Sequence, residues 1–223
     1  SYDITVGAGG LIITGTPLTY SNYTGASITA GGSPFDRKTE RIFYATTSFY
    51  DMSVGSPLET CLAAGGTAQT CLEAFVYPSS IIAVDIATEE IVGRVSPFGM
   101  NVYNAACLYI PGACAGFEMA DNSFTAGLVV VEDRRLLLGL SVSGILFGWN
   151  VDTLNEVGRV FVGPGSVFAN SWGLASNGDM VYITSNNLLN TSYLGMDGTL
   201  RCDGYVAGVN IERGKDFFKV EWV

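Results

Sequence analysis

A ten-residue phrase occurs three times in this chain of 223 residues, and it constrains the fold more than any single residue does. It reads DIATEEIVGR from Asp85 to Arg94 and NVDTLNEVGR from Asn150 to Arg159, and a more divergent copy, NIERGKDFFK, runs from Asn210 to Lys219. Repeats at a spacing of roughly 60 residues indicate supersecondary units that bury their apolar faces by stacking on their neighbours.

Each copy ends a pattern of four short apolar runs separated by polar turns. In the first unit, runs 15–18 and 42–47 precede the pair 81–84 and 91–95. The upstream runs of the other two units are 126–130 with 136–141, and 172–175 with 181–185. Short apolar runs around tight polar turns predict antiparallel hairpins. Four such strands repeated radially predict β-propeller blades, and the alternative is a β-sandwich with hairpins that are alike by accident.

We therefore predict an all-β fold, a β-propeller segment of about three four-stranded antiparallel blades. The predicted boundaries are 1–10 for the end of a preceding blade, then 11–97, 98–163 and 164–223 for the three blades. Propellers close with about four to eight blades, and closure protects the sheet edges. We expect the ring to be completed by further blades of the same polypeptide or by other protein chains.

The charge balance and the absence of histidine exclude several functional classes. The formal net charge of −10, from 11 basic and 21 acidic residues, argues against binding to nucleic acid or to an anionic membrane surface. No apolar stretch has the length of a membrane span. The chain contains 0 histidines, which excludes Cys/His zinc sites and a Ser-His-Asp triad within it.

Four of the five cysteines bracket two loops, and we predict a local disulfide in each. One pair is Cys61 with Cys71, the other is Cys107 with Cys114, and Cys202 is left over. Asn22 and Asn190 begin glycosylation sequons, N-Y-T and N-T-S. Paired cysteines and sequons together favour a secreted, extracellular glycoprotein.

Loop length varies greatly between equivalent strands of the three units. The long connections are 48–80, 96–123 and 186–204, whereas the second unit joins its middle strands through 142–144 only. In a propeller these connections emerge on one face. Such a face is where function on a β scaffold is expected, although the long loops are also consistent with simple shielding of that face.

The third unit carries a family resemblance in Trp172-Gly173, in the run 177–183 and in Ser185-Asn186-Asn187. It resembles a blade of the quinoprotein alcohol dehydrogenases, with the closest resemblance to the polyvinyl-alcohol-dehydrogenase-like branch. The run 79–85 followed by Thr88 is similar to that family's blade ending, A-x-D-x-x-T-G-x-x-x-W. The Gly of this signature is replaced by Glu89 and Leu154 in the first two copies, Arg213 takes the place of the Thr beside Gly214 in the third, and the Trp is replaced in every copy.

The resemblance implies a disc, usually of eight blades, that holds pyrroloquinoline quinone (PQQ) and calcium near its axis. By position, Trp172 would form the floor beneath the quinone and Asn187 would be a calcium ligand, with Asn186 as the substitute if the strand shifts. Glu73 lies near the position of the acidic calcium ligand. A flat aromatic ring suits a flat cofactor, and calcium takes oxygen ligands. The bland alternatives are a core aromatic for Trp172 and a strand-end residue for Asn187.

Two functional hypotheses follow. The first is a secreted, quinoprotein-like propeller module with a binding or structural role in an extracellular assembly, not catalytic by itself. The second is part of a PQQ- and calcium-dependent alcohol dehydrogenase domain. The family's catalytic Asp would lie in a later blade, so the sequence assigns no catalytic residue here.

Overall fold

A computed structural model describes the chain at residues 3–7, 10–14, 24–29, 31–51, 57–67, 70–71, 77–98, 122–124, 126–164, 173–187, 190–195, 197–211 and 218–222. The first two strands, β1 (Asp3–Gly7) and β2 (Gly10–Thr14), pair with each other in a two-stranded antiparallel sheet. Three larger sheets follow in chain order, and all their strand pairs are antiparallel.

Blade one consists of β3 (Thr24–Ile28), β4 (Phe35–Asp36), β5 (Arg41–Asp51), β6 (Ile81–Asp85) and β7 (Ile91–Val95). The order is β3-β5-β6-β7, and β4 also pairs with β5. The short helix α1 (Pro57–Ala63) lies in the connection between β5 and β6. The predicted first strand, 15–18, lies outside the described residues, and among the described strands β3 and β4 pair with β5.

Blade two consists of β8 (Val129–Val131), β9 (Leu136–Leu140), β10 (Ile145–Asn150) and β11 (Glu156–Phe161), paired in chain order. The polar turn between β8 and β9 is a 3-10 turn over Glu132–Arg134.

Blade three consists of β12 (Leu174–Ser176), β13 (Met180–Ser185), β16 (Tyr205–Ile211) and β17 (Phe218–Trp222), again paired in chain order. A separate hairpin, β14 (Tyr193–Leu194) with β15 (Leu200–Arg201), is inserted between β13 and β16. The prediction of an all-β propeller segment with about three four-stranded blades is confirmed.

The repeated phrase forms the same turn in blades one and two. Oδ1 of Asp85 accepts hydrogen bonds from the backbone N–H of Thr88 at 3.0 Å and from its hydroxyl at 3.2 Å. Oδ1 of Asn150 accepts the same two bonds from Thr153, at the same distances. The phrase recurs because an Asp or Asn side chain at this position fixes the turn that joins two strands.

The small residue two places before the Asp or Asn marks a bulge in all three blades. The strand register shifts directly after Ala83, Gly148 and Gly208. A bulge strengthens the local twist of a strand. The bulge recurs in all three units and the turn recurs in the first two, which indicates a shared backbone design.

The position after Thr88 or Thr153 adopts a left-handed conformation, with φ of 61° at Glu89 and 58° at Leu154. The resembled signature has a glycine at this position. Glycine suits the position because it adopts a left-handed conformation without steric cost. Both turns keep their shape without the glycine because the Asx hydrogen bonds remain.

Replacing Glu89 with Gly should therefore raise the free energy of unfolding by about 0.5–1 kcal/mol, since the left-handed conformation costs a non-glycine residue energy. Glu90→Gly is the matched control, because Glu90 is also exposed but has no positive φ. That control should lose stability through the greater entropy of the unfolded chain. Urea unfolding of both variants tests this, and equal losses would contradict the assigned backbone.

The sheets pack face against face in chain order, and the contact between blades one and two is aromatic. Phe43 and Ile81 of blade one share a buried cluster with Phe147 and Trp149 of blade two. The Phe147 and Trp149 rings are stacked, with centroids 5.5 Å apart and 7° between their planes. Leu154 reaches back to Gly93 of blade one, where an added Cβ would lie 2.7 Å from its Cδ1 atom. This close approach explains the glycine of the V-G-R ending in blade one.

Blades two and three pack through aliphatic side chains. Leu138 and Leu146 share a buried cluster with Val181 and Val209. Phe218 packs over Gly148, where an added Cβ would lie only 2.5 Å from the Phe218 Cζ atom. Leu154 and Phe218 thus each pack on a glycine of the preceding blade.

We call the face of a sheet that points to the following blade its leading face, and the opposite one its trailing face. In blade two the leading face carries Leu138 and Leu146, and the trailing face carries Leu137, Phe147 and Trp149. Successive strand residues point to opposite faces, so blade two is buried on both sides.

Two consecutive arginines in the β8–β9 turn bind the neighbouring blades. Arg135 pairs with Asp36 of blade one, with Nη1–Oδ1 at 2.6 Å, and with Asp152 of blade two, with Nη2–Oδ1 at 2.7 Å. Arg134 donates from Nε to the carbonyl of Gly178 in blade three, at 2.7 Å, and also contacts the Asp179 carboxylate. The turn therefore fastens blade two to both neighbours.

Candidate binding face on the long loops

The elaborated connections lie between the two middle strands of blades one and three. In blade one, β5 and β6 are joined through α1 and a disulfide between Cys61 and Cys71. In blade three, β13 and β16 are joined through the β14–β15 hairpin. Blade two joins β9 and β10 by a tight turn. Equivalent connections share one end of stacked sheets, so this end is the candidate binding face.

Asn187 organises the loop that leaves β13. Its side chain is buried, and its Nδ2 atom donates to the carbonyls of Thr191 and Cys202, both at 2.9 Å. Its Oδ1 atom accepts a hydrogen bond from the backbone N–H of Thr191 at 3.1 Å. A third acceptor, the carbonyl of Asp203, lies at 3.3 Å. The carboxamide therefore ties both ends of the loop together by bonding to its backbone.

The β14–β15 hairpin projects from this loop and displays two leucines. Leu194 and Leu200 are directly opposite in the register, and they are 70% and 73% exposed. Asp197 stabilises the turn by accepting from the Thr199 N–H at 3.0 Å and from Arg201 Nη2 at 2.7 Å. The Thr199 hydroxyl and Arg201 hold the pKa of Asp197 well below its usual range. A turn fixed in this way holds an exposed apolar pair, which is a feature of contact surfaces rather than of folded interiors.

Tyr205 anchors the base of the hairpin at the start of β16. Its ring lies 5.3 Å from the Tyr193 ring and fills the space beside Gly163, where an added Cβ would be 2.7 Å from Cζ. Burial raises the pKa of Tyr205 to about 12, so its hydroxyl stays protonated at neutral pH. Tyr205 packs as a core residue here.

The described residues include only some of the predicted site. Asn186 is exposed beside the buried Asn187, and the sequon residue Asn190 is exposed with a φ of 47°. Cys202 is an exposed free cysteine. The remaining predicted residues lie outside the described residues: Asn22, Glu73, Cys107, Cys114 and Trp172.

No group of three or more Cys, Asp or Glu side chains is placed to hold a metal ion in the described part of the chain. Within those same residues, no helix is long and apolar enough to cross a membrane.

Sequence reasoning missed the residues that join the blades. The run Glu132-Asp133-Arg134-Arg135 predicted a polar turn but not its partners, because Asp36 is 99 residues away from Arg135. The available signal was a pair of arginines at the very end of a turn, directly before a buried strand. No local pattern predicts the role of Asn187 in the loop, since two of its hydrogen-bond acceptors lie 15 and 16 positions later in the chain.

Comparison with protein-family models and with curated proteins finds no match. Among solved structures, the chain is similar to BamB from Moraxella catarrhalis at 15% identity and a TM-score of 0.42, covering 82% of this chain and 42% of that one. It is similar to the quinohemoprotein alcohol dehydrogenase from Comamonas testosteroni at 12% identity and a TM-score of 0.43, covering 81% and 32%. The β-propeller domain of Cps50 (Swd1) from Myceliophteria thermophila matches at 10% identity and a TM-score of 0.32, covering 90% and 73%. The chain thus spans less than half of the BamB and dehydrogenase chains.

Proposed function

We propose that this chain is a secreted β-propeller module with a binding or structural role in an extracellular assembly, and that it is not catalytic by itself. The observation that carries the proposal is the use of the Asn187 carboxamide to hold its own loop. The Oδ1 atom, which a calcium ion would need, lies in the buried loop and accepts a hydrogen bond from the Thr191 N–H. The Asn187 side chain thus holds in place the loop that presents the hairpin leucines, and it does not serve as a cofactor ligand.

The extracellular setting is supported by two further observations. The Cys61–Cys71 disulfide pins the loop that contains α1, and disulfides persist in oxidising compartments. Asn190 of the second sequon is exposed in the loop that leaves β13, where an attached glycan would meet solvent.

The Asn187→Asp variant distinguishes two roles of the Asn187 side chain, holding the loop together and binding calcium. An aspartate would place a second oxygen against three carbonyl groups, so we expect the free energy of unfolding to fall by about 2–3 kcal/mol. Asn190→Asp is the control in the same loop, since Asn190 is exposed, and it should change stability by less than about 0.5 kcal/mol. Urea unfolding of protein without glycans measures both.

The same variants should be melted with and without calcium and PQQ. We expect neither the wild-type midpoint nor the Asn187→Asp deficit to respond to these additions. A carboxylate is a stronger calcium ligand than a carboxamide. A calcium-dependent rise in midpoint that Asn187→Asp enhances would therefore contradict the proposal and favour the dehydrogenase reading.

A further inference from the structure

The turn between β12 and β13 contains the single Asn-Gly dipeptide of the chain, Asn177-Gly178. Asn177 is exposed, and Gly178 has a φ of 99°. The backbone nitrogen that follows an asparagine can attack the side-chain carbonyl carbon and close a cyclic imide. Glycine favours this attack because it has no Cβ to shield its nitrogen. The turn therefore combines the two residue types that this reaction needs, in a position that water reaches.

Two backbone N–H groups hold the oxygen on which negative charge would develop. The Oδ1 atom of Asn177 accepts from the N–H of Asp179 at 3.1 Å and from the N–H of Met180 at 2.8 Å. Attack on the Cγ atom places negative charge on Oδ1, and donors that are already in place stabilise such charge. The turn thus provides the donor pair of an oxyanion hole from its own backbone.

The attacking nitrogen and the leaving group each have a hydroxyl partner. The N–H of Gly178 donates to the Oγ atom of Ser176 at 3.1 Å, which polarises this N–H and favours loss of its proton. The Nδ2 atom of Asn177 donates to the hydroxyl of Tyr182 at 3.2 Å. A phenol both accepts and donates hydrogen bonds, so the Tyr182 hydroxyl can also donate to the departing nitrogen.

Two other sites in the chain lack one part of this arrangement and serve as internal references. Asp197 also precedes a glycine, Gly198, whose φ is 78°. Hydrogen bonds from Thr199 hold the pKa of Asp197 well below its usual range, so at neutral pH it is a carboxylate, which resists attack by a nucleophile. Asn155 is exposed, but it precedes Glu156, whose Cβ shields the nitrogen.

We propose that the folded turn 176–180 converts Asn177 to a mixture of isoaspartate and aspartate. The Gly178 nitrogen forms a bond to the Asn177 Cγ atom, the Cγ–Nδ2 bond breaks, and ammonia leaves with the proton from Gly178. Water then opens the imide. Addition at Cγ gives aspartate, and addition at the main-chain carbonyl gives isoaspartate, whose main chain runs through the side-chain carbon. This modification site goes beyond the proposed function and does not depend on it.

The modification would fall on the contact between blades two and three. Arg134 donates from Nε to the Gly178 carbonyl at 2.7 Å and from Nη1 to the Ile211 carbonyl at 2.9 Å, and it contacts the Asp179 carboxylate. Isoaspartate lengthens the main chain before Gly178 by one methylene and so displaces the carbonyl that Arg134 binds. We expect chains with isoaspartate at 177 to unfold at a lower urea concentration than Asn177→Asp, which has the new charge alone.

The test is incubation of the intact chain at neutral pH, followed by peptide mapping with mass spectrometry that distinguishes isoaspartate from aspartate. We expect conversion at Asn177 before any at Asn155, and no isoaspartate at Asp197. Gly178→Ala should slow the conversion at least about tenfold, since its Cβ hinders the approach of the nitrogen. Ser176→Ala should slow it at least about threefold by removing the acceptor of the Gly178 N–H. Circular dichroism verifies that both variants are folded.

Asn177→Ser is the matched control for the effect on stability, because serine retains an oxygen that accepts in the turn but has no carbonyl to attack. On incubation the urea midpoint of wild-type protein should fall as isoaspartate accumulates, whereas that of Asn177→Ser should stay constant. Asn177 that stays unmodified, Asn155 that reacts as fast, or a rate unchanged in Ser176→Ala would each overturn the inference. A wild-type midpoint that stays constant despite isoaspartate would overturn the expected effect on the Arg134 contact.

Discussion

Arg135→Met is expected to lower the free energy of unfolding by about 3–5 kcal/mol, because it leaves the carboxylate of Asp36 buried without its cation. The Asp36 side chain is only 1% exposed. Its two oxygens accept from Arg135 at 2.6 and 2.9 Å, and charge-assisted bidentate pairs of this kind are among the stronger hydrogen bonds in proteins. Urea unfolding measures the loss.

Arg159→Met provides the control for losing an arginine on the surface. Arg159 pairs with Glu156 three residues away, and both side chains are substantially exposed. It also lies over the Phe147 ring at 5.0 Å. We expect a loss of at most about 1 kcal/mol. A loss as large as that of Arg135→Met would show that burial of Asp36 is not the cause.

The same pair predicts how stability depends on pH. Hydrogen bonds from Arg135 hold the pKa of Asp36 well below its usual range. A depressed folded-state pKa contributes stability that is present above the unfolded pKa, about 4, and is lost as pH falls through that value toward the folded pKa. Wild-type protein should therefore lose stability between about pH 5 and pH 2 more steeply than Arg135→Met. Parallel curves for the two proteins would contradict this assignment.

Trp149→Ala should be the second highly destabilising change, with a loss of about 3–5 kcal/mol. Trp149 is fully buried, stacks on Phe147 and makes an edge contact with Phe124 at 5.9 Å. Truncation leaves a cavity at the contact between blades one and two. Leu194→Ala removes an exposed side chain and should change stability by less than about 0.5 kcal/mol.

The Trp149→Phe variant distinguishes the contribution of the aromatic ring to stability from that of the indole N–H group. Among the described residues, the buried Nε1 atom of Trp149 has no hydrogen-bond acceptor. Removing an unpaired buried donor offsets part of the lost apolar contact, so Trp149→Phe should cost less than about 1.5 kcal/mol. If it costs as much as Trp149→Ala, the indole N–H must have a partner.

The features that could be predicted from the sequence are those that depend on residues close together in the chain. The hairpin turns follow from Asp85 and Asn150, whose side chains bond to the next few residues. The buried strands of blade two follow from an apolar run of leucines after a charged turn. Even where the signature glycine is missing, at Glu89 and Leu154, the turn is preserved because the Asx bonds suffice to fix it.

The remainder depends on residues that are distant in sequence. The pairing of β3 and β4 with β5 was not predicted, because both runs are short and neither has a clear period. The partners of Arg135 and of Asn187 are set by stacking and loop closure, which no local pattern encodes. Of the cofactor residues suggested by resemblance, Asn187 and its substitute Asn186 lie among the described residues, and the side chain of Asn187 bonds to its own loop.

The repeated units stack as adjacent blades that are held together across their turns. A double-mutant cycle between Asp36 of blade one and Arg135 of blade two tests it most directly. Asp36→Asn should destabilise the wild-type protein but stabilise the Arg135→Met variant, where it removes an unpaired buried charge. We predict a coupling energy of about 2 kcal/mol or more. Additive effects within about 0.5 kcal/mol would mean that the two turns are not in contact, and would contradict the stacked arrangement.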